Sequence, residues 1–185
     1  VSTGIGGGII IDKEVYHGVS DGAGEIGHTT IDPHSSIQCG CGNYGCLEAL
    51  ASGTAIGRKG RKIVEGGGKT IIGDLVDDLT EINGAIVAQA ATKGDQLAQD
   101  ILTEAGYYIG IGLANLINIF NPQKIIVGGG VSQSWELLKP QVEKTITNRA
   151  MSFMAEEAEI VVAQLEDEVG VKGAIATALS RLNLI

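Results

Sequence analysis

The run "CGCGNYGC" puts Cys39, Cys41 and Cys46 within eight residues, and they are the 3 cysteines of the whole chain. Gly40, Gly42 and Gly45 leave that stretch free to turn, so thiolates at C-x-C-x4-C spacing can converge on one centre. Three thiolates are one ligand short of a closed tetrahedral zinc site, and a nearby histidine completes Cys3His. His28 and His34 both lie upstream within reach, and spacing alone leaves the choice between them open. His17 is farther away and reads as a surface residue. An odd cysteine count and a reducing compartment argue against disulfides.

The 185 residues suffice for one fair-sized domain or two small ones with a real core. Hydrophobic residues make up 44% and aromatics 4%, which predicts a core of Ile, Val, Leu and Ala. The net charge of −9 argues against nucleic acid as a partner of this segment. Its one dense basic run, "RKGRK" at Arg58–Lys62, reads as the solvated face of a helix. No apolar run reaches the ~18 residues of a membrane span and no signal peptide opens the chain, so a soluble, cytoplasmic protein is expected. The chain starts on Val1 in what reads as mid-strand, which suggests a fragment of something longer.

Patterning predicts an α/β layout. Thr3–Asp12 reads as a strand entered through glycines, with Val15–Tyr16 and Glu25–Ile31 as further strands of an antiparallel meander. After the cysteine loop, "CLEALASGTAIGRKGRKIV" has apolar residues at helical spacing. "EGGGKT" (Glu65–Thr70) is a connector, because a Walker A motif needs Gly where Ile63 stands. Asn83–Lys93 and Gln96–Asn121 read as helices, the second closed by Pro122. Lys124–Gly130 reads as a short buried strand, Trp135–Ala150 as a helix with Trp135 in the core, Glu159–Leu165 as a strand and Val169–Leu182 as a closing helix. Strands alternating with helices in this half predict parallel pairing.

Two glycine loops are candidate ligand sites. Thr3, Gly4, Ile5, Gly6, Gly7 and Gly8 expose backbone N–H groups suited to phosphate oxygens, or else permit tight strand packing. A dinucleotide fingerprint is excluded there, since "IIID" continues as strand where a helix is required. Gly128, Gly129 and Gly130, between a strand and a helix, let a flat ring approach the backbone. Glu25, His28 and Glu48 stand beside the cysteine loop, where they can bond a polyhydroxylated ligand.

Taken together, "STGIGGGI", "GEIGH", "CGCGNYGCLEALASG" and "IIVGGGVS" resemble the ROK family (repressors, open reading frames and kinases), particularly its glucokinase-like sugar kinases. The resemblance implies an actin-like (ribonuclease H-like) ATPase fold, of which residues 1–185 are the C-terminal domain, with a structural zinc loop over about residues 28–48. It implies His28, not His34, as the zinc ligand with Cys39, Cys41 and Cys46. It further implies that Glu25, His28 and Glu48 bond sugar hydroxyls. Ser2, Thr3, Gly4, Gly6, Gly7 and Gly8 match the loop holding ATP phosphates, and Gly128–Gly130 match the adenosine-side loop. ATP with Mg²⁺ is the implied co-substrate pair, a hexose (glucose foremost) the acceptor, and a homodimer the assembly.

The family's Asp base lies upstream of the matched stretch, so no catalytic base is assigned here; Asp12, Asp21 and Asp32 do not occupy its motif. A sugar-sensing repressor of the same family is the rival expectation. A freestanding zinc-binding interaction module would leave both glycine loops unexplained.

Overall fold

The structure, a computed structural model, describes residues 1–165 and 168–181. Its core forms around one long helix. We label the elements β1 (Ile10–Ile11), β2 (Glu14–Val15), α1 (Leu47–Ala51), α2 (Gly53–Glu65), α3 (Gly84–Thr92), α4 (Gln96–Phe120), β3 (Lys124–Val127), α5 (Trp135–Arg149), α6 (Ser152–Glu157), β4 (Glu159–Val162) and α7 (Val169–Arg181). Apolar residues recur every three or four positions along α4: Ile101, Leu102, Ala105, Ile109, Leu113 and Ile117 are buried, and α5, α3, α1 and α2 pack around them. Trp135 joins that core, as its sequence context predicts.

Local chemistry explains the helix ends. The Asn83 side chain accepts from the Ala85 and Ile86 amides and starts α3. Asn121 adopts a left-handed conformation at φ 43° and closes α4 just ahead of Pro122. Strand β3 pairs in parallel with β4, Lys124 opposite Glu159 through Val127 opposite Val162. A parallel pair joined through helices is the α/β arrangement that the alternating pattern predicts. Helix α7 ends at Arg181 among the described residues; Leu182 lies outside them.

Four expectations need correction. Thr3–Asp12 is not a continuous strand: the ladder is confined to Ile10–Ile11, paired with Glu14–Val15 around a two-residue turn. Asp12 and Lys13 both take positive φ (53° and 69°), the turn geometry whose twist suits a hairpin. Glu25–Ile31 is a 3-10 turn at Ile26–His28 followed by a single bridge from Thr30 to Cys46. The helix after the cysteines is two helices, because the Ser52 side chain accepts from the Ala55 amide (3.2 Å) and begins α2 afresh. The basic run is not a uniformly solvated face. Arg58 donates to the Ala49 carbonyl, Arg61 to those of Leu79 and Thr80, and Lys59 pairs with Glu104 at 2.8 Å.

Asp95 ties the connector to the core. Its carboxylate accepts from the Ile71 amide (2.7 Å), the Thr70 hydroxyl (2.8 Å) and the Ala98 amide (2.9 Å). Partial burial opposes its charge, but the donated hydrogen bonds prevail and hold the carboxyl below the usual range. A depressed folded-state value stabilises the fold above the unfolded carboxyl's own titration and loses that contribution as pH falls through the folded value. Asp95→Ala is therefore expected to cost about 2 kcal/mol at pH 7. The gap between wild type and variant should close on acidification below about pH 4, as urea melts at the two pH values would show.

Candidate functional site

The cysteine loop is pinned at both ends by short-range backbone bonds. The Cys39 amide donates to the Asn43 carbonyl (2.7 Å), and the Ile31 and Asp32 amides donate to the Gly45 carbonyl (2.8 and 3.2 Å). Gly45 sits at φ 66°, and a Cβ there would lie 1.9 Å from the Asp32 carbonyl oxygen, so no other residue fits. These constraints bring the three thiols together. Cys46 and Cys39 are buried and Cys41 is exposed.

The ligand atoms of His28, Cys39, Cys41 and Cys46 all lie within 4.8 Å of one another. Cys41 Sγ is 3.8 Å from Cys46 Sγ, and Cys39 Sγ is 3.5 Å from His28 Nδ1. A tetrahedral zinc with Zn–S of about 2.3 Å and Zn–N of about 2.0 Å separates two sulfurs by about 3.8 Å, and sulfur from nitrogen by about 3.5 Å. Those two spacings match the corresponding edges, and with all four ligand atoms within 4.8 Å of one another the Cys3His donor set fits zinc. His34 is exposed and outside the cluster, its amide donating to Asp32 Oδ1 (3.0 Å).

Thiol electrostatics point the same way. Burial, then the adjoining thiols of Cys41 and Cys39, push the Cys46 thiol up to about 12. A hydrogen bond from the Asn43 backbone holds Cys41 below its usual value. Three thiols this close resist joint ionisation unless a cation compensates them.

The polar candidates surround this cluster. His28 turns Nδ1 toward Cys39 and Nε2 toward Glu25, whose Oε2 stands 3.8 Å away with the side chain exposed. Glu48, in the first turn of α1, has Oε1 3.9 Å from Cys39 Sγ and Oε2 accepting from the Ile5 amide at 2.8 Å. His17 lies apart on the surface, 3.4 Å from Asp21.

The first glycine loop contacts Glu48 and Gly27 beside that cluster, and its start meets the second loop. The Val1 nitrogen donates to the Gly128 carbonyl, and the Val131 amide to the Val1 carbonyl (3.1 Å), so Val1 and Ser2 run directly past Gly128–Gly130. The start of α2 secures Ser2 and Thr3: the Gly53 amide donates to Ser2 O (2.7 Å), and Thr54 Oγ1 to Thr3 O (2.8 Å). Gly53 and Thr54 were not singled out in the sequence; their signal was "SGT" directly behind "CLEALA". Gly6 and Gly8 have open space where a side chain would stand. Among the described residues, no helix is long and apolar enough to cross a membrane.

A ROK glucokinase from Streptomyces griseus, solved with glucose and AMPPNP, superposes with a TM-score of 0.81 at 34% identity, covering 94% of this chain and 57% of that one. This likeness defines an actin-like ATPase-type fold. The ROK family profile matches residues 1–181, and the chain belongs to the ROK family. It is 36% identical over 173 residues to a glucokinase of Halalkalibacterium halodurans, covering 94% of this chain and 52% of the relative. It is 37% identical over 182 residues to a xylose repressor of Caldicellulosiruptor bescii, covering 97% and 45%. Kinases and sugar-responsive repressors of the family thus match at similar identity, and the chain spans about half the length of these curated relatives.

Proposed function

We propose that residues 1–185 form the C-terminal part of an ATP-dependent hexose kinase, with glucose as the foremost substrate and glucose 6-phosphate as product. The observation that carries this reading is a glycine loop, open at Gly6 and Gly8, that packs on Glu48 and Gly27 beside the metal-fitting cluster and meets Gly128–Gly130 through Val1 and Ser2. Phosphoryl transfer depends chiefly on positioning and charge stabilisation. The Ser2–Gly8 loop offers its backbone N–H groups, other than those of Ser2 and Ile5 that Gly4 and Glu48 engage, to the phosphates of ATP–Mg²⁺, and Gly128–Gly130 lie where the nucleoside approaches. Glu25, His28 and Glu48 hold sugar hydroxyls. Zinc on His28, Cys39, Cys41 and Cys46 is structural: it fixes the loop that presents those groups, and the imidazole held through Nδ1 keeps Nε2 for the sugar.

No catalytic base is assigned to this chain. Residues 1–185 alone should therefore turn over far more slowly than the intact polypeptide. The similar identity to repressors supports a second reading, a sugar-sensing regulator in which the same pocket binds sugar without phosphorylating it.

The two halves of the site give the test. A hydrogen bond to a charged group is worth about 1.5–3 kcal/mol, so Glu25→Gln should raise the apparent sugar constant of the intact kinase about tenfold or more. The ATP constant should hardly move, because in this reading the Glu25 carboxylate bonds the sugar and makes no bond to a phosphate. A coupled assay titrating hexose and ATP separately measures both. Equal losses for sugar and nucleotide would contradict the assignment.

A further inference from the structure

Ile5 is gripped from two sides by the metal-bearing segments. Its amide donates to Glu48 Oε2 at 2.8 Å, across 43 residues of sequence. Its carbonyl faces the "GEIGH" turn so closely that a Cβ on Gly27 would lie 1.8 Å from the oxygen. The Glu48 carboxylate also covers Gly4, where a Cβ would lie 2.4 Å from Oε2. The other carboxylate oxygen, Oε1, is 3.9 Å from Cys39 Sγ, and Cys46 lies two residues ahead of Glu48 at the start of α1. Two contacts, at the amide and the carbonyl of one residue, therefore join the segments of the cysteine cluster to the glycine loop. The Ile5 side chain, 4% exposed, leaves that residue no room to drift.

We infer that Glu48 is a positioning residue for the glycine loop: through the Ile5 amide it makes the conformation of Gly4–Gly8 depend on metal occupancy at the cysteine cluster. The metal orders Cys46 at the start of α1, this fixes Glu48 two residues on, and Glu48 fixes the Ile5 N–H of the loop. The inference rests on reading Ser2–Gly8 as the phosphate-side loop. It gives the metal an influence over nucleotide as well as sugar, because two sites sharing one two-state element are coupled reciprocally.

NMR-detected amide exchange on the full chain tests this without sugar or ATP, so its outcome is separate from that of the kinase reading. Wild type, Glu48→Ala and Glu48→Gln would each be measured zinc-loaded and after chelation. In wild type, chelation should speed Ile5 exchange tenfold or more. Zinc-loaded Glu48→Ala should show the same rise over Ile5–Gly8 with one zinc still bound, and chelation should add little. Glu48→Gln, which keeps a carbonyl acceptor, should fall between, and it decides alone if the alanine variant does not fold. Unchanged Ile5 exchange in zinc-loaded Glu48→Ala, or in chelated wild type, would overturn the inference. So would loss of zinc from both variants, which would confine Glu48 to the metal loop.

Discussion

Cys46→Ser is expected to abolish stoichiometric zinc binding and to disorder residues 33–46 while the helical core persists. The cysteine loop has very little apolar packing of its own. The buried cluster around it consists of Cys39, Cys46 and Ala49, with Ile37 partly buried against it. That is far too small to order the loop by burial. Bridges at Thr30–Cys46 and Gln38–Tyr44 shape the loop but cannot hold it closed. A structural zinc contributes on the order of 10 kcal/mol in small zinc domains, so its loss exceeds every local interaction that remains. Metal analysis after gel filtration, with hydrogen exchange, checks both parts. Protection should vanish across residues 33–46 and survive in α4 and α5. Full metal retention by the variant, or unchanged loop protection without metal, would refute the clamp.

Gly27→Ala is expected to be the most damaging single-methyl change in the "GEIGH" turn. The added Cβ would meet the Ile5 carbonyl oxygen at 1.8 Å and its carbonyl carbon at 2.8 Å. Both atoms are backbone, so no rotamer change relieves the clash. The turn or the glycine loop must shift by an ångström or more, at a cost of about 3 kcal/mol. The shift would also pull His28 from the cysteines, so zinc affinity should fall with stability. Gly8→Ala is the control, because nothing lies within 4 Å of its Cβ position. It should change stability by less than about 0.5 kcal/mol. Thermal or urea denaturation of the two variants gives the comparison, and equal stability would refute the close packing of turn on loop.

Features governed by neighbouring residues were legible in the sequence. Asn83, Asp95 and Asn121 carry the capping chemistry that bounds α3 and α4, and the structure places those helices within a residue or two of expectation. Parallel β3 and β4 followed from strand–helix alternation. The strands expected at Thr3–Asp12 and Glu25–Ile31 failed for a long-range reason. Gly27 must press against Ile5, so that segment tightens into a 3-10 turn instead of extending alongside its neighbour. Spacing left the fourth member of the cysteine cluster open between His28 and His34; the folded chain brings His28 to the thiols. The bond between Glu48 and the Ile5 amide had no local signal at all, because its partners lie 43 residues apart.

Hexose-dependent ADP release by the intact polypeptide that carries residues 1–185 tests the kinase account most directly. With zinc bound, Mg²⁺ present and glucose as acceptor, the account predicts turnover that needs both sugar and ATP and that yields a sugar phosphate in equal amount to ADP. Sugar binding without any phosphate transfer, accompanied by sugar-sensitive binding of specific DNA, would contradict it and assign the same pocket to a repressor.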